Sequence, residues 1–152
     1  MERIDPDGSK VVMSTPPGPT ARSLAVGERL TVQVAACNYW TDTWLDVVDG
    51  AEYEFRAEGR WTDIIKKSDP DGYDTPWWSL LQWLLAGRRR MPNQKWFALC
   101  GAVRDSDAAL FLIGSNARPK LPSGRLLCFA NDVPGFYWNN SGSVTLTVVR
   151  TR

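Results

Sequence analysis

Apolar and polar positions alternate cleanly in two stretches. Arg29-Leu30-Thr31-Val32-Gln33-Val34-Ala35-Ala36-Cys37 has the two-residue period of a half-buried strand. Ala51-Glu52-Tyr53-Glu54-Phe55-Arg56-Ala57 repeats it, with Tyr53, Phe55 and Ala57 facing in and Glu52, Glu54 and Arg56 facing out. Between them, Asn38 to Thr43 reads as a loop, Trp44 to Val48 as a strand and Asp49-Gly50 as a turn. The second strand is expected to end at Gly59-Arg60-Trp61-Thr62-Asp63-Ile64. Further apolar runs of strand length lie at Lys95–Val103, Ala108–Gly114, Arg125–Ala130 and Ser143–Val149.

One segment has a different rhythm. Trp77, Trp78, Leu80, Leu81, Leu84 and Leu85 would cover most of a helix between Pro76 and Ala86, with Thr75 or Asp74 as cap and Gly87 as stop. Such a helix is too apolar for a free surface position. It is expected to lie across a sheet or at an oligomer contact, the alternative being a patch for a ligand or a membrane interface. Arg88-Arg89-Arg90 follows it, read as a solvated face, with an anion contact as the alternative.

About eight short strands and one inserted helix near 76–86 predict an all-β fold. The expected form is an antiparallel two-sheet β-sandwich of jelly-roll kind, with binding loops at the sheet ends. Residues 1–25, with Asp5-Pro6-Asp7-Gly8 and Pro16-Pro17-Gly18-Pro19, read as an extended arm in which Lys10 to Met13 could pair as a short strand. The sandwich is expected over 26–152.

Composition narrows the function classes. Basic and acidic residues number 18 and 17, a net charge of +1, so no basic field draws in nucleic acid. No apolar run is long enough to span a membrane. The start of the chain lacks an apolar signal core, and Cys37, Cys100 and Cys128 read as buried free thiols, which together predict a cytoplasmic protein. There is no histidine, which removes the usual general base and any Ser-His-Asp set. The carboxylates Asp105 and Asp107 sit in a turn signal, so catalysis is not expected. Asp69-x-Asp71-Gly72 has the opening of an EF-hand loop without its later ligands, and reads as a turn.

The chemistry concentrates in Asn131-Asp132-Val133-Pro134-Gly135-Phe136-Tyr137-Trp138-Asn139-Asn140-Ser141-Gly142. Pro134-Gly135 forces a tight turn, Ser141-Gly142 signals a second, and strands flank both ends. Two readings are open on the residues alone. Asp and Asn can hydrogen-bond their own backbone in a plain hairpin loop. Alternatively, Asp132, Asn139 and Asn140 can offer side-chain oxygens, and Phe136 its carbonyl, to calcium, a hard cation that takes about six to eight oxygens.

Asn131-Asp132-Val133-Pro134-Gly135-x-Tyr137-x-Asn139-Asn140-Ser141-Gly142-Ser143 resembles the metal loop of the PA-I galactophilic lectin (LecA-like) family, without a gap. The resemblance covers about 28–150, weakly in its first half and strongly over 125–148. It implies a small β-sandwich in which Asp132, Asn139, Asn140 and the Phe136 carbonyl hold calcium, while Asp132, Val133 and Asn139 touch a sugar. It also places a metal-binding backbone carbonyl at about Asp63. The family has no acid there: turned inward, the Asp63 side chain would add a second negative charge, and turned outward it would cap a turn. Met91-Pro92-Asn93-Gln94 resembles the family's His-Pro-x-Gln segment, so Gln94 can reach a sugar hydroxyl. Met91 cannot replace the histidine, a departure that bears on which sugar is bound. Trp138 stands where the family loop has glycine and can stack on a sugar or reshape its site. The inserted helix has no counterpart in the family.

Calcium-dependent, non-catalytic binding of a galactoside-type saccharide or glycoconjugate is therefore the leading expectation, with oligomerisation to raise weak single-site affinity. The alternative is a protein-interaction or accessory sandwich in which calcium is structural or absent.

Overall fold

The computed structural model describes residues 20–104 and 109–152, together with the backbone of 2–4 and 10–12. Asp105 and Asp107 lie outside the described residues. Two short strands, β1 (Glu2–Ile4) and β2 (Lys10–Val12), pair antiparallel. The remaining strands are β3 (Arg29–Ala35), β4 (Thr41–Val47), β5 (Tyr53–Asp63), β6 (Lys66–Ser68), β7 (Leu99–Val103), β8 (Leu110–Leu112), β9 (Asn116–Ala117), β10 (Gly124–Ala130) and β11 (Asn140–Arg150). They form two antiparallel sheets, β4-β10-β7-β8 and β3-β11-β5-β6, with β9 also on β5. This is the all-β, two-sheet sandwich that the alternation predicts.

The sheets close on one core. Val34, Phe55, Trp61, Val144, Leu146 and Val148 from one sheet meet Leu45, Leu99, Val103, Leu126 and Cys128 from the other. Leu24 joins this core, and Arg22 bridges Leu45, so packing against the sandwich begins within the expected arm. Tyr53, Phe55 and Ala57 face inward as their spacing predicts.

Several boundaries differ from expectation, each for a local reason. β4 starts at Thr41, inside the expected loop, because Thr41 and Thr43 point inward and the Thr43 hydroxyl donates to the Leu126 carbonyl at 2.8 Å. β5 runs past Gly59 to Asp63: Gly59 adopts φ +102° beside Val144, and Trp61 then re-enters the core. Cys37 is exposed in the turn after β3, whereas Cys100 and Cys128 are buried free thiols.

The helix α1 is shorter than expected, Leu80–Leu85, and continues as a 3-10 turn over Ala86–Arg88. Its cap is Ser79, whose hydroxyl accepts from the Gln82 amide. Thr75 is unavailable because its hydroxyl accepts from the Trp96 indole at 2.9 Å. Gly87 does not stop the helix but lies within the 3-10 turn. No α1 residue is buried, so in this chain the helix does not lie across a sheet.

The run 88–90 is not a solvated face either. Arg88 is exposed, but the Arg89 guanidinium lies over Trp96 and donates to the Ala86 and Pro92 carbonyls. Arg90 is enclosed by Tyr39, Trp40, Phe129 and Tyr137, with its Cζ 3.5 Å from the Phe129 ring centre. A desolvated guanidinium gains most from such ring faces. Its backbone N–H donates to the Asp132 carbonyl at 3.0 Å, so the cage steadies the loop behind the site.

Asp69-x-Asp71-Gly72 is a turn. The Asp71 carboxylate accepts from the Ser115 amide and hydroxyl at 2.7 and 2.8 Å. Gly72 has φ +80°, and an added Cβ would meet the Trp96 carbonyl at 2.4 Å. Gly72→Ala is expected to cost about 3 kcal/mol or more in urea unfolding. Stability equal to the parent protein would contradict that packing.

Candidate functional site

Chain geometry brings three segments to one end of the sandwich. The first is the 131–142 loop between β10 and β11. Val133 to Phe136 closes as a turn through the Phe136 amide and Val133 carbonyl at 3.0 Å, with Gly135 at φ +93°, the left-handed value that such a turn needs. The second is the β5–β6 hairpin, whose Asp63 pairs directly with Asn140 of β11. The third is α1 with the chain that follows it.

Asp132 sits at the base, only 3% exposed. One carboxylate oxygen accepts from the Val133 amide at 2.7 Å and the other from the Asn140 side-chain N–H at 2.9 Å. Burial pushes its pKa up to about 6 against those two hydrogen bonds, and the Asp63 charge pushes the same way. Asp63 turns inward to the same cavity, which settles the direction left open in the sequence. Its carboxylate accepts from the Tyr73 hydroxyl, and burial raises its pKa against that bond. Two carboxylates thus face one another's field in a partly dry site.

The adjacent asparagines Asn139 and Asn140 have oxygens to spare. The Asn140 amide nitrogen donates to the Ala36 carbonyl at 3.1 Å as well as to Asp132. Both of its protons are therefore committed, which fixes the amide orientation and leaves the buried Oδ1 without a partner. The Asn139 Oδ1 is likewise buried and unpartnered. Orphaned buried acceptors cost about 1–3 kcal/mol each unless something meets them. The Phe136 carbonyl accepts only a long bond, 3.5 Å, from the Asn139 amide. The Asn139 carbonyl accepts from the Ile64 amide at 3.3 Å and ties the loop to the hairpin.

Two ionisable carboxylates, two unsatisfied amide oxygens and a weakly engaged carbonyl are oxygen donors of the kind that a hard divalent cation takes. Among the described residues no three His, Cys, Asp or Glu side chains gather, so any such site depends on its amides.

Above this floor opens a cavity of about 310 Å³. Asp63, Asp132, Val133, Phe136 and Asn139 line it from below, and Ile64, Ile65, Trp78, Leu81, Leu85 and Trp96 form apolar walls. Gln94 and Trp138 are not on its wall. Gln94 lies in the segment gripped by Asn131, and Trp138 is 79% exposed. Met91 packs beside Ala98, Cys100 and Phe129 on the outer face of the four-stranded sheet, away from the cavity.

Two contributors escape sequence reasoning. Asn131 is wholly buried, and its side chain accepts from the Met91 amide and donates to the Met91 and Lys95 carbonyls, all at 2.9 Å. Gln82 lines the cavity while donating to the Tyr73 hydroxyl at 2.9 Å. Helical spacing of Trp78, Leu81 and Leu85 was the available signal that one face of the insertion meets the site.

No protein-family profile matches the chain, and no curated protein matches it. Among solved structures, the chain is similar to one described as "EclA N-terminal domain; PllA-like lectin". The two share 19% identity at a TM-score of 0.61, over 80% of this chain and 95% of that one. The two share a β-sandwich fold.

Proposed function

We propose that this protein binds a galactoside-type saccharide through calcium, without catalysis, as the metal-loop resemblance implies. Asp132, Asn139, Asn140 and the Phe136 carbonyl would hold the ion, and the Asp63 carboxylate would add a second charge. Two carboxylates balance a divalent cation, which favours tighter binding than a single carboxylate would allow. Calcium held there offers remaining coordination positions to neighbouring sugar hydroxyls. Asp132 and Asn139 would also hydrogen-bond those hydroxyls, and Val133 would pack against the ring. Gln94 and Trp138 lie off the cavity wall, so a role for either falls to a larger glycan reaching beyond it.

The observation that carries this reading is the pairing of a buried Asp132 carboxylate with two partnerless amide oxygens in the same loop. The shared sandwich with a PllA-like lectin domain supports it at the level of fold. Thermal unfolding with added calcium, followed by a glycan array in calcium and in EDTA, tests it. Calcium stabilisation with EDTA-sensitive glycan signals is expected; glycan signals indifferent to EDTA would contradict it.

The exposed, Trp-rich α1 favours a second reading, a partner-binding domain with structural calcium. Stabilisation by calcium with no glycan signal would select it.

The raised carboxylates predict a pH dependence. Between the ordinary carboxylate range and about pH 6, folded Asp132 keeps a proton that the unfolded chain has lost. Stability of the metal-free protein is therefore highest at the acid side of this window and falls as pH rises through it. Asp63 shifts in the same direction; Glu28, held by the Ala25 amide and Arg22, and Glu54, held by Arg56, shift the opposite way, so their contributions change below this window. Calcium needs the ionised forms. The calcium-induced rise in Tm should be several degrees larger at pH 7.5 than at pH 5, and binding at pH 6 should release protons in calorimetry. Equal stabilisation at both pH values would contradict the assignment of Asp132 as a ligand.

A further inference from the structure

We infer that the outward face of α1 and the tip of the β5–β6 hairpin dock on the surface of an anionic phospholipid bilayer. The inference stands apart from calcium and sugar binding. Thirteen consecutive residues, Thr75 to Gly87, carry no charged side chain, and α1 buries none of its residues on the sandwich. Leu81 and Leu85 turn toward the cavity with Trp78. Leu80, Trp83 and Leu84 fall at i, i+3 and i+4, on the other face. With Trp77 they lie off the cavity wall and stand between 61% and 88% exposed. The hairpin tip extends this surface. Ile64 and Ile65 share the cavity lining with Trp78 and Leu81, and Ile65 is 90% exposed. Apolar side chains bared to this extent on two adjoining elements mark a contact surface.

Charge selects what covers it. Residues 63–95 hold six lysines and arginines against four aspartates, a larger excess than the +1 of the whole chain. The aspartates are engaged within the protein. Asp63 accepts from the Tyr73 hydroxyl, Asp69 from the Asp71 amide and Asp71 from Ser115, while Asp74 pairs with Lys95 at 3.5 Å. Arg89 and Arg90 are held against aromatic rings. Lys66, on the cavity wall, lies over the Tyr73 ring. Among the described residues, neither it nor the exposed Lys67 and Arg88 pairs with a carboxylate. Three cations therefore flank an uncharged, tryptophan-rich face. Tryptophan favours the headgroup level of a bilayer, and lysine and arginine meet its anionic lipids. A second copy of this chain would add more cations and no acid within 75–87 to answer them. Phospholipid supplies both the apolar phase and the phosphate. At six residues α1 cannot cross a bilayer, so the contact is superficial.

Co-sedimentation of the full chain, in EDTA, with glycolipid-free vesicles of phosphatidylcholine alone or mixed with phosphatidylglycerol tests this. The chain should pellet with the mixed vesicles several-fold more than with phosphatidylcholine alone, release as salt is raised, and shift its tryptophan emission to the blue. Trp77→Ser combined with Leu84→Ser, at exposed positions off the cavity wall, should weaken binding on the order of tenfold and leave Tm within about 2 °C of the parent. Lys67→Gln should weaken binding to the mixed vesicles several-fold. Absence of vesicle binding overturns the inference: a dimer in sedimentation velocity that the double variant dissolves would then assign the face to a second copy, and a monomer would leave it to a protein partner. Vesicle binding that the double variant retains in full overturns it as well. Because the vesicles carry no sugar and the buffer no calcium, each of these results leaves the glycan reading to its own test.

Discussion

Asp132→Asn should abolish the calcium response of this protein while leaving its fold intact. The substitution keeps the shape of the side chain and an oxygen to accept from the Val133 amide at 2.7 Å. It removes the one carboxylate that the 131–142 loop contributes and halves the negative charge shared with Asp63. Calcium affinity is expected to fall by roughly 100-fold or more, since a hard cation depends on anionic oxygen. Metal-free stability at neutral pH is expected to change little, because the new side-chain NH2 leaves the buried Asn140 N–H without its acceptor and so offsets the relief of a buried charge. Burial pushes the Asp132 carboxyl up to about 6, so keeping it ionised at pH 7 costs free energy that the neutral amide does not. A plain hairpin loop predicts a different result: no calcium response to lose. Calcium titration of both proteins, monitored by Tm, separates the two, and a variant that responds as the parent does would refute the role given to Asp132.

The second large effect concerns stability. Asn131→Ala is expected to destabilise the fold by about 3 kcal/mol, a fall in Tm of roughly 10 °C for a domain of this size. The Asn131 amide accepts from the Met91 N–H and donates to the Met91 and Lys95 carbonyls, all at 2.9 Å, and donates a longer bond of 3.4 Å to the Gln94 carbonyl. It is wholly buried, so alanine leaves several backbone groups dry and unpaired rather than exchanging them for water. The segment it holds, Met91 to Lys95, connects the end of the 3-10 turn to Trp96, and Trp96 is a cavity wall. A cost below about 1 kcal/mol in urea unfolding would show that the segment is held by other contacts.

The strand pattern was the legible part of this chain. β3, the first half of β5, β10 and β11 all follow alternation or apolar runs, because one face of each meets a shared core and the other meets water. The failures have physical causes. Thr41 and Thr43 look polar by type, yet they face inward and satisfy strand geometry through β-branching. Gly59 looks like an end because glycine usually breaks a strand, but β5 continues through it beside Val144 with its alternation unbroken, Trp61 facing in as Ala57 does. Thr75 looks like a helix cap, but a long-range bond from Trp96 claims its hydroxyl, and Ser79 caps a shorter helix. Arg89 and Arg90 look solvated because nothing local places Trp96, Tyr39, Trp40 and Phe129 around them.

The candidate site divides in the same way. Asp132, Asn139 and Asn140 were legible because they fall within one loop, where spacing alone brings them near each other. Asp63 was half legible: its position followed from the family resemblance, but its direction depended on Tyr73 and on pairing with Asn140 across the sheet. Asn131 carries the same amide as Asn139 and does different work. Its orientation is set by a partner segment some 40 residues earlier, which local pattern cannot reveal. The apolar cavity was legible only in one wall, the helical spacing of Trp78, Leu81 and Leu85, since its other walls come from a hairpin tip and a loop distant in sequence. The apolar excess of the insertion was visible, but the absence of a sheet beneath it was not.

The central claim is that the oxygens of Asp132, Asn139 and Asn140 share one divalent ion. The most direct measurement is an anomalous difference map from a crystal soaked in calcium. The account predicts a single strong peak about 2.4 Å from oxygens of all three residues, with the Asp63 carboxylate and the Phe136 carbonyl facing it. A map at saturating calcium with no peak there, and with the Asn139 and Asn140 oxygens met by water or protein donors instead, would contradict it.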